Sequence, residues 1–222
     1  MKISTHVANL VLQGWEREFG PAVDAKRKLL LRRTKEIAFH EAGHVAARMF
    51  TGQDASHVLS VSIIPDADTL GRETSERNIS EIIFGAYPEL VRELIGRKLL
   101  IRLLAGRAAA YRIAHADDRE EIVDYYNEEC EIEGTDLFRA NHISSLMVRK
   151  YMPQHRILHL AAKWAVEMFE IPQVWKTTKK VANALLQNGE IEPSQIFELC
   201  SEILNMSFRL PVWRNRLSGG AR

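Results

Sequence analysis

Ile37-Ala38-Phe39-His40-Glu41-Ala42-Gly43-His44-Val45 sets two histidines four residues apart. On a helix that spacing puts both imidazoles on one face, about one turn from each other. Two ring nitrogens so placed reach one metal ion, and the glutamate after the first reaches a water on that ion, which is the chemistry of the H-E-x-x-H pattern. The surrounding helix is expected to run from Thr34, as N-cap, to Phe50, with Gly52 as its stop. Ala38, Ala42, Val45 and Met49 line one side, and Ile37, His40, His44 and Ala47 another, so the helix reads as buried. An unpartnered buried imidazole is costly, so the pair asks for hydrogen-bond acceptors or a metal. Gly43 in mid-helix costs about 1 kcal/mol relative to alanine, which points to close approach by another backbone or to tight helix packing.

Working outward, Leu10, Val11, Trp15 and Phe19 recur at helical spacing from His6 to Phe19, and Gly20-Pro21 ends that pattern. Lys26 to Arg33 is a basic segment wrapped around three leucines; a solvated helix face with the leucines inward is favoured over a docking surface for an acidic partner or lipid headgroups. After the motif, Val58 to Ile64 is rich in β-branched residues and reads as a strand, with Thr69 to Thr74 returning as a more polar one. The rest reads as helical: Ile79 to Ala86, Glu89 to Ile113, Arg119 to Cys130, Thr135 to Lys150, His155 to Phe169, Pro172 to Leu186 and Pro193 to Asn205. The expected fold class is mainly α with a small β element. Residues 1–33 are expected as an N-terminal helical extension, 34–206 as the domain proper and 207–222 as a basic tail.

A chain of 222 residues with 46% hydrophobic content can bury a substantial core without staples. A net charge of +1 argues against a nucleic-acid partner. Cys130 and Cys200 match no zinc or redox spacing and read as packing residues in a reducing compartment. No stretch is long and apolar enough to span a bilayer, and Met1 to Leu12 is poor material for a signal peptide, so a cytoplasmic location is expected.

A catalytic zinc site takes three protein ligands, so His40 and His44 need one more donor. The acidic residues between Asp117 and Glu133 read as a solvated surface. Asp136 shares a helix face with Ala140, Ile143 and Met147; it reads either as a ligand in register with an apolar stripe or as a helix-start aspartate favoured by the macrodipole. His155 and His159 are also four apart, but no glutamate follows His155, and His142 projects away from Asp136.

Ile37 to Val45 resembles the start of the peptidase domain of FtsH-type zinc proteases, the ATP-dependent, membrane-anchored family. Val58 to Pro65, Thr69-Leu70-Gly71, Leu104-Ala105-Gly106-Arg107-Ala108-Ala109, Gly134-Thr135-Asp136-Leu137 through Met147-Val148, and Val181 to Leu186 resemble further family segments in the same order. The resemblance implies that His40, His44 and Asp136 hold zinc and that Glu41 is the catalytic base in a zincin-like helical peptidase domain. By its placement alone the polar strand around Thr69 to Thr74, with Thr69, Leu70, Gly71 and Arg72, is a candidate edge for an extended substrate to pair with, and the family's hexameric rings make a homo-oligomer a candidate assembly. The chain departs from the family in having no G-x-x-x-x-G-K-[ST] phosphate loop, and Ala110 and Tyr111 stand where acidic residues are usual. The activity expected is a zinc-dependent endopeptidase acting on peptides, on unfolded proteins, or on chains delivered by a separate AAA ATPase. The competing expectation is a catalytically silent interaction or regulatory module on the same fold.

Overall fold

In the computed structural model the helix that carries the histidines begins at Val23, well before Thr34. No glycine or proline interrupts Val23 to Ala42, and the unbranched lysines, arginines and leucines of the basic segment are good helix formers. The Thr34 hydroxyl does not cap; buried in mid-helix, it donates to the Leu30 carbonyl one turn back at 2.8 Å. The other end is as expected: the helix stops at Phe50, Gly52 adopts φ +74°, and its N–H donates to the Met49 carbonyl. In the basic segment Leu30 is buried, Leu31 half-buried and Leu29 exposed, so the leucines are not uniformly inward.

The structure describes residues 1–19, 23–52, 58–65, 72–75, 89–114, 135–148, 152–204 and 206. Among them are seven helices: α1 (Thr5–Phe19), α2 (Val23–Phe50), α3 (Glu89–Ala114), α4 (Asp136–Leu146), α5 (Gln154–Glu170), α6 (Pro172–Asn188) and α7 (Pro193–Leu204). There are three strands: β1 (Val58–Ser62), β2 (Arg72–Ser75) and β3 (Glu190–Ile191). The protein is thus mainly α with a small sheet. The expected helices at 79–86 and 119–130, and the tail from 207, lie outside the described residues. The line expected between residues 33 and 34 falls inside α2, and Val7, Val11 and Trp15 of α1 join the same apolar core as Ala42 and Val45.

The sheet has the order β2-β1-β3, antiparallel throughout, with Ser62 opposite both Arg72 and Glu190. β1 ends at Ser62, short of Ile64, and the described part of the returning strand begins at Arg72. The two-residue β3 is too short to leave a period-2 pattern in sequence. It forms because Gly189, at φ +82°, turns the chain out of α6 and accepts a hydrogen bond from the Ile63 N–H. Val61, Ile63 and Ile191 are then fully buried.

Helix α2 lies at the centre and packs against α3 more extensively than any other pair of elements pack. The crossing is close because small residues meet there: a Cβ on Gly43 would stand 2.6 Å from the Ala105 carbonyl oxygen and 2.8 Å from Ala109 Cβ. Both readings of Gly43, backbone approach and tight packing, describe this one contact. Gly43→Ala is therefore expected to destabilise by about 1–3 kcal/mol through overpacking, despite a helix-propensity gain of up to about 1 kcal/mol. Urea unfolding checks this, and an unchanged midpoint would show that the helices separate freely. Behind the histidines, Phe39 packs on Trp175 at 5.6 Å between ring centroids, and the Arg112 guanidinium lies 4.6 Å over the same indole while donating to the Phe169 carbonyl. This cluster ties α2, α3, α5 and α6 together.

Cys200 is fully buried on the inner face of α7, as a packing residue should be, and burial pushes its thiol up to about 12. The thiol stays neutral in the folded protein, so this contribution to stability is complete below the unfolded value of about 8.5 and is lost as pH rises from there toward the folded value. Alkylation of the Cys200 peptide at pH 8, read by mass mapping, is expected to be slow in the native protein and fast in urea. Equal rates would mean that α7 opens readily. Cys130 lies outside the described residues.

Candidate metal centre

Helix α2 brings His40 and His44 to one face, and α4 brings the third donor to them. Asp136 is the first residue of α4, whose N-cap Thr135 accepts a hydrogen bond from the Phe138 N–H at 3.2 Å. Ala140 and Ile143, on the face of Asp136, are buried, and near the other end of α4 Met147 packs directly onto Gly96 of α3. The position of Asp136 is compatible with both of its readings. It begins a helix, and it also faces the histidines.

His40 Nε2 lies 3.2 Å from Asp136 Oδ2, His44 Nε2 lies 3.0 Å from the same oxygen, and the two Nε2 atoms are 3.0 Å apart. These three residues are the one His/Cys/Asp/Glu group among the described residues with donor atoms close enough to hold an ion. A tetrahedral ion with bonds of about 2.0–2.2 Å needs donor–donor edges of about 3.3–3.6 Å. The observed triangle is smaller by only a few tenths of an ångström. Two imidazoles and a carboxylate are also the donor type of catalytic zinc sites that leave one position open.

The remaining bonds of His44 fix its ring. Nδ1 lies 2.8 Å from the Arg102 carbonyl oxygen of α3. A carbonyl only accepts, so Nδ1 carries the proton and donates, and in the neutral ring Nε2 presents its lone pair to the triangle. His40 meets His44 edge to face, with centroids 4.6 Å apart. The side chains of His40, His44 and Asp136 are 27%, 11% and 24% exposed, so the centre is partly accessible to solvent. Burial by itself would raise the Asp136 carboxyl, but when the imidazoles are protonated the charge of His44 and hydrogen bonds from both histidines outweigh it and hold the group well below the usual carboxylate range. The carboxylate is consequently ready as an anionic donor.

Glu41 is buried on α2, next to His40 in the chain and outside the donor group. Arg72 opens β2, whereas Thr69, Leu70 and Gly71 lie outside the described residues. His142, His155 and His159 are exposed and take no part in the donor group. No protein-family model matches this sequence, and no curated protein matches it. Two further contributors come from α3, the Arg102 carbonyl and Gly106, which faces the two imidazoles. A backbone carbonyl leaves no mark in sequence. Gly106 does, because the mid-helix argument that singles out Gly43 applies to it equally.

Proposed function

We propose that the chain is a zinc-dependent endopeptidase with an FtsH-type, zincin-like domain, cleaving peptides or unfolded proteins. The observation that carries this reading is the donor triangle of His40, His44 and Asp136, with edges of 3.0–3.2 Å, and Glu41 buried next to His40 in the chain. Zinc held there would act as a Lewis acid that lowers the pKa of water and polarises a scissile carbonyl. The chain's own residues do the rest. The Glu41 carboxylate takes the proton of the attacking water and delivers it to the leaving nitrogen. Asp136 supplies the negative charge that a dication favours, and the Arg102 carbonyl keeps His44 Nε2 aimed at the triangle.

Strand β2 has a strand on one side only among the described residues, which supports an extended substrate adding to its other edge, with Arg72 among the residues it meets. Such pairing reads backbone, so it suits peptides and unfolded chains, including chains delivered by a separate ATPase. Hexameric assembly belongs to the same reading by resemblance. No helix among the described residues is long and apolar enough to cross a membrane.

Elemental analysis of the purified protein, with cleavage of an unfolded casein-like chain before and after chelation, tests the proposal. The expected result is about one zinc per chain and cleavage that chelation abolishes and zinc restores. Protein that stays metal-free after zinc is supplied would overturn it in favour of an interaction module.

A further inference from the structure

We propose that Gly106 is a positioning residue for the metal: its missing side chain gives His44, and the ion that His44 would hold with His40 and Asp136, the room they need against α3. The inference rests on the metallopeptidase reading for what the site holds, and on the steric geometry of α3 for everything else.

The His44 imidazole lies along one turn of α3. Its Nδ1 end is bonded to the carbonyl of residue 102, and its Nε2 end reaches residue 106, four positions on. A Cβ at position 106 would stand 2.3 Å from His44 Nε2, 2.8 Å from His44 Cε1 and 2.8 Å from His40 Nε2. The first of these is close to the length of a zinc–nitrogen bond, about 2.0–2.1 Å, and far below any carbon–nitrogen contact. A methyl group there would compete for the space beside the donor nitrogens.

Neither partner has an easy way to yield. His44 can swing aside only by giving up its bond to the Arg102 carbonyl and its place 3.0 Å from Asp136. Nor can α3 retreat without opening the contact one residue along, where Gly43 meets the Ala105 carbonyl. The crossing thus carries two glycines with different tasks. Gly43 sets how close the helices come, and Gly106 keeps their shared surface open at the histidines.

Backbone conformation does not explain Gly106. Among the described residues, the glycines with positive φ are Gly52 and Gly189, so position 106 has ordinary helical geometry that alanine adopts and favours. What demands glycine is the neighbouring imidazole pair.

The test is zinc affinity, by competition with a chelating dye, for wild type and Gly106→Ala, with circular dichroism to verify the fold. The expected result is a folded variant whose zinc affinity falls by about 100-fold or more, comparable to or beyond loss of a ligand's supporting hydrogen bond. A folded Gly106→Ala that binds zinc as wild type does would overturn the role of Gly106 and leave the metallopeptidase reading standing. Wild type that binds no zinc would overturn both. Should the variant not fold, the wild-type protein decides: with glycine labelled isotopically, cobalt in place of zinc is expected to broaden Gly106 beyond detection by NMR. A sharp Gly106 signal in the cobalt-loaded protein would refute the proposal.

Discussion

Replacing Glu41 with glutamine is expected to lower kcat on an unfolded chain by about 1,000-fold, within the range that a general base contributes, while zinc stays bound. Glutamine keeps the volume and the hydrogen-bonding reach of the side chain but cannot take a proton at neutral pH. Glu41 is 6% exposed in the best-packed part of α2, where every residue from Glu41 to Phe50 is buried, so an isosteric change is the one that tests chemistry without opening a cavity. Because Glu41 stands outside the donor group, metal content is not expected to change. Kinetics and elemental analysis on one preparation separate the outcomes. Cleavage within tenfold of wild type would remove Glu41 from the mechanism, and loss of zinc would make it a structural support.

Asp136→Ala has the other large expected effect: loss of zinc, with affinity reduced by more than the roughly 10–100-fold typical of losing a supporting residue. Two imidazoles remain, but the triangle loses the oxygen that stands 3.2 and 3.0 Å from them and the only negative charge in the donor set. Asp136 is also the first residue of α4, where a carboxylate interacts favourably with the helix dipole by about 0.3–1 kcal/mol. A modest fall in thermal stability of the metal-free variant is therefore expected as well. Titration with zinc, followed by melting with and without the metal, distinguishes the two contributions. Wild-type zinc affinity in Asp136→Ala would mean that another group completes the site.

Much of the candidate centre is legible in the sequence, for reasons that particular residues make plain. His40 and His44 belong to one helix, and the spacing of residues within a helix is a property of the backbone alone. The burial of Ala38, Ala42, Val45 and Met49 follows from the same periodicity, and each is fully buried or nearly so. The start of α2 was less legible. Thr34 is a good N-cap by type, yet the residues before it are good helix formers, and its hydroxyl finds an acceptor within the helix.

Asp136 marks the border between the two kinds of information. Its place on an apolar face comes from local periodicity, but whether it only begins a helix or also meets the histidines depends on where α4 lies relative to α2, with His40 ninety-six positions away in the chain. The sequence by itself determined the existence of the described helices, the facing pair of histidines, the adjacent Glu41 and a mainly helical core around them, since these follow from local order and from repeats of three and four residues. Only the tertiary structure decided the pairing of β3 with β1, the closing of the donor triangle by Asp136, the carbonyl of Arg102 on His44 and the contact of Gly106 with both imidazoles. Those are distances between elements remote in the chain, set by how closely packed surfaces approach, and no local pattern along one helix encodes them.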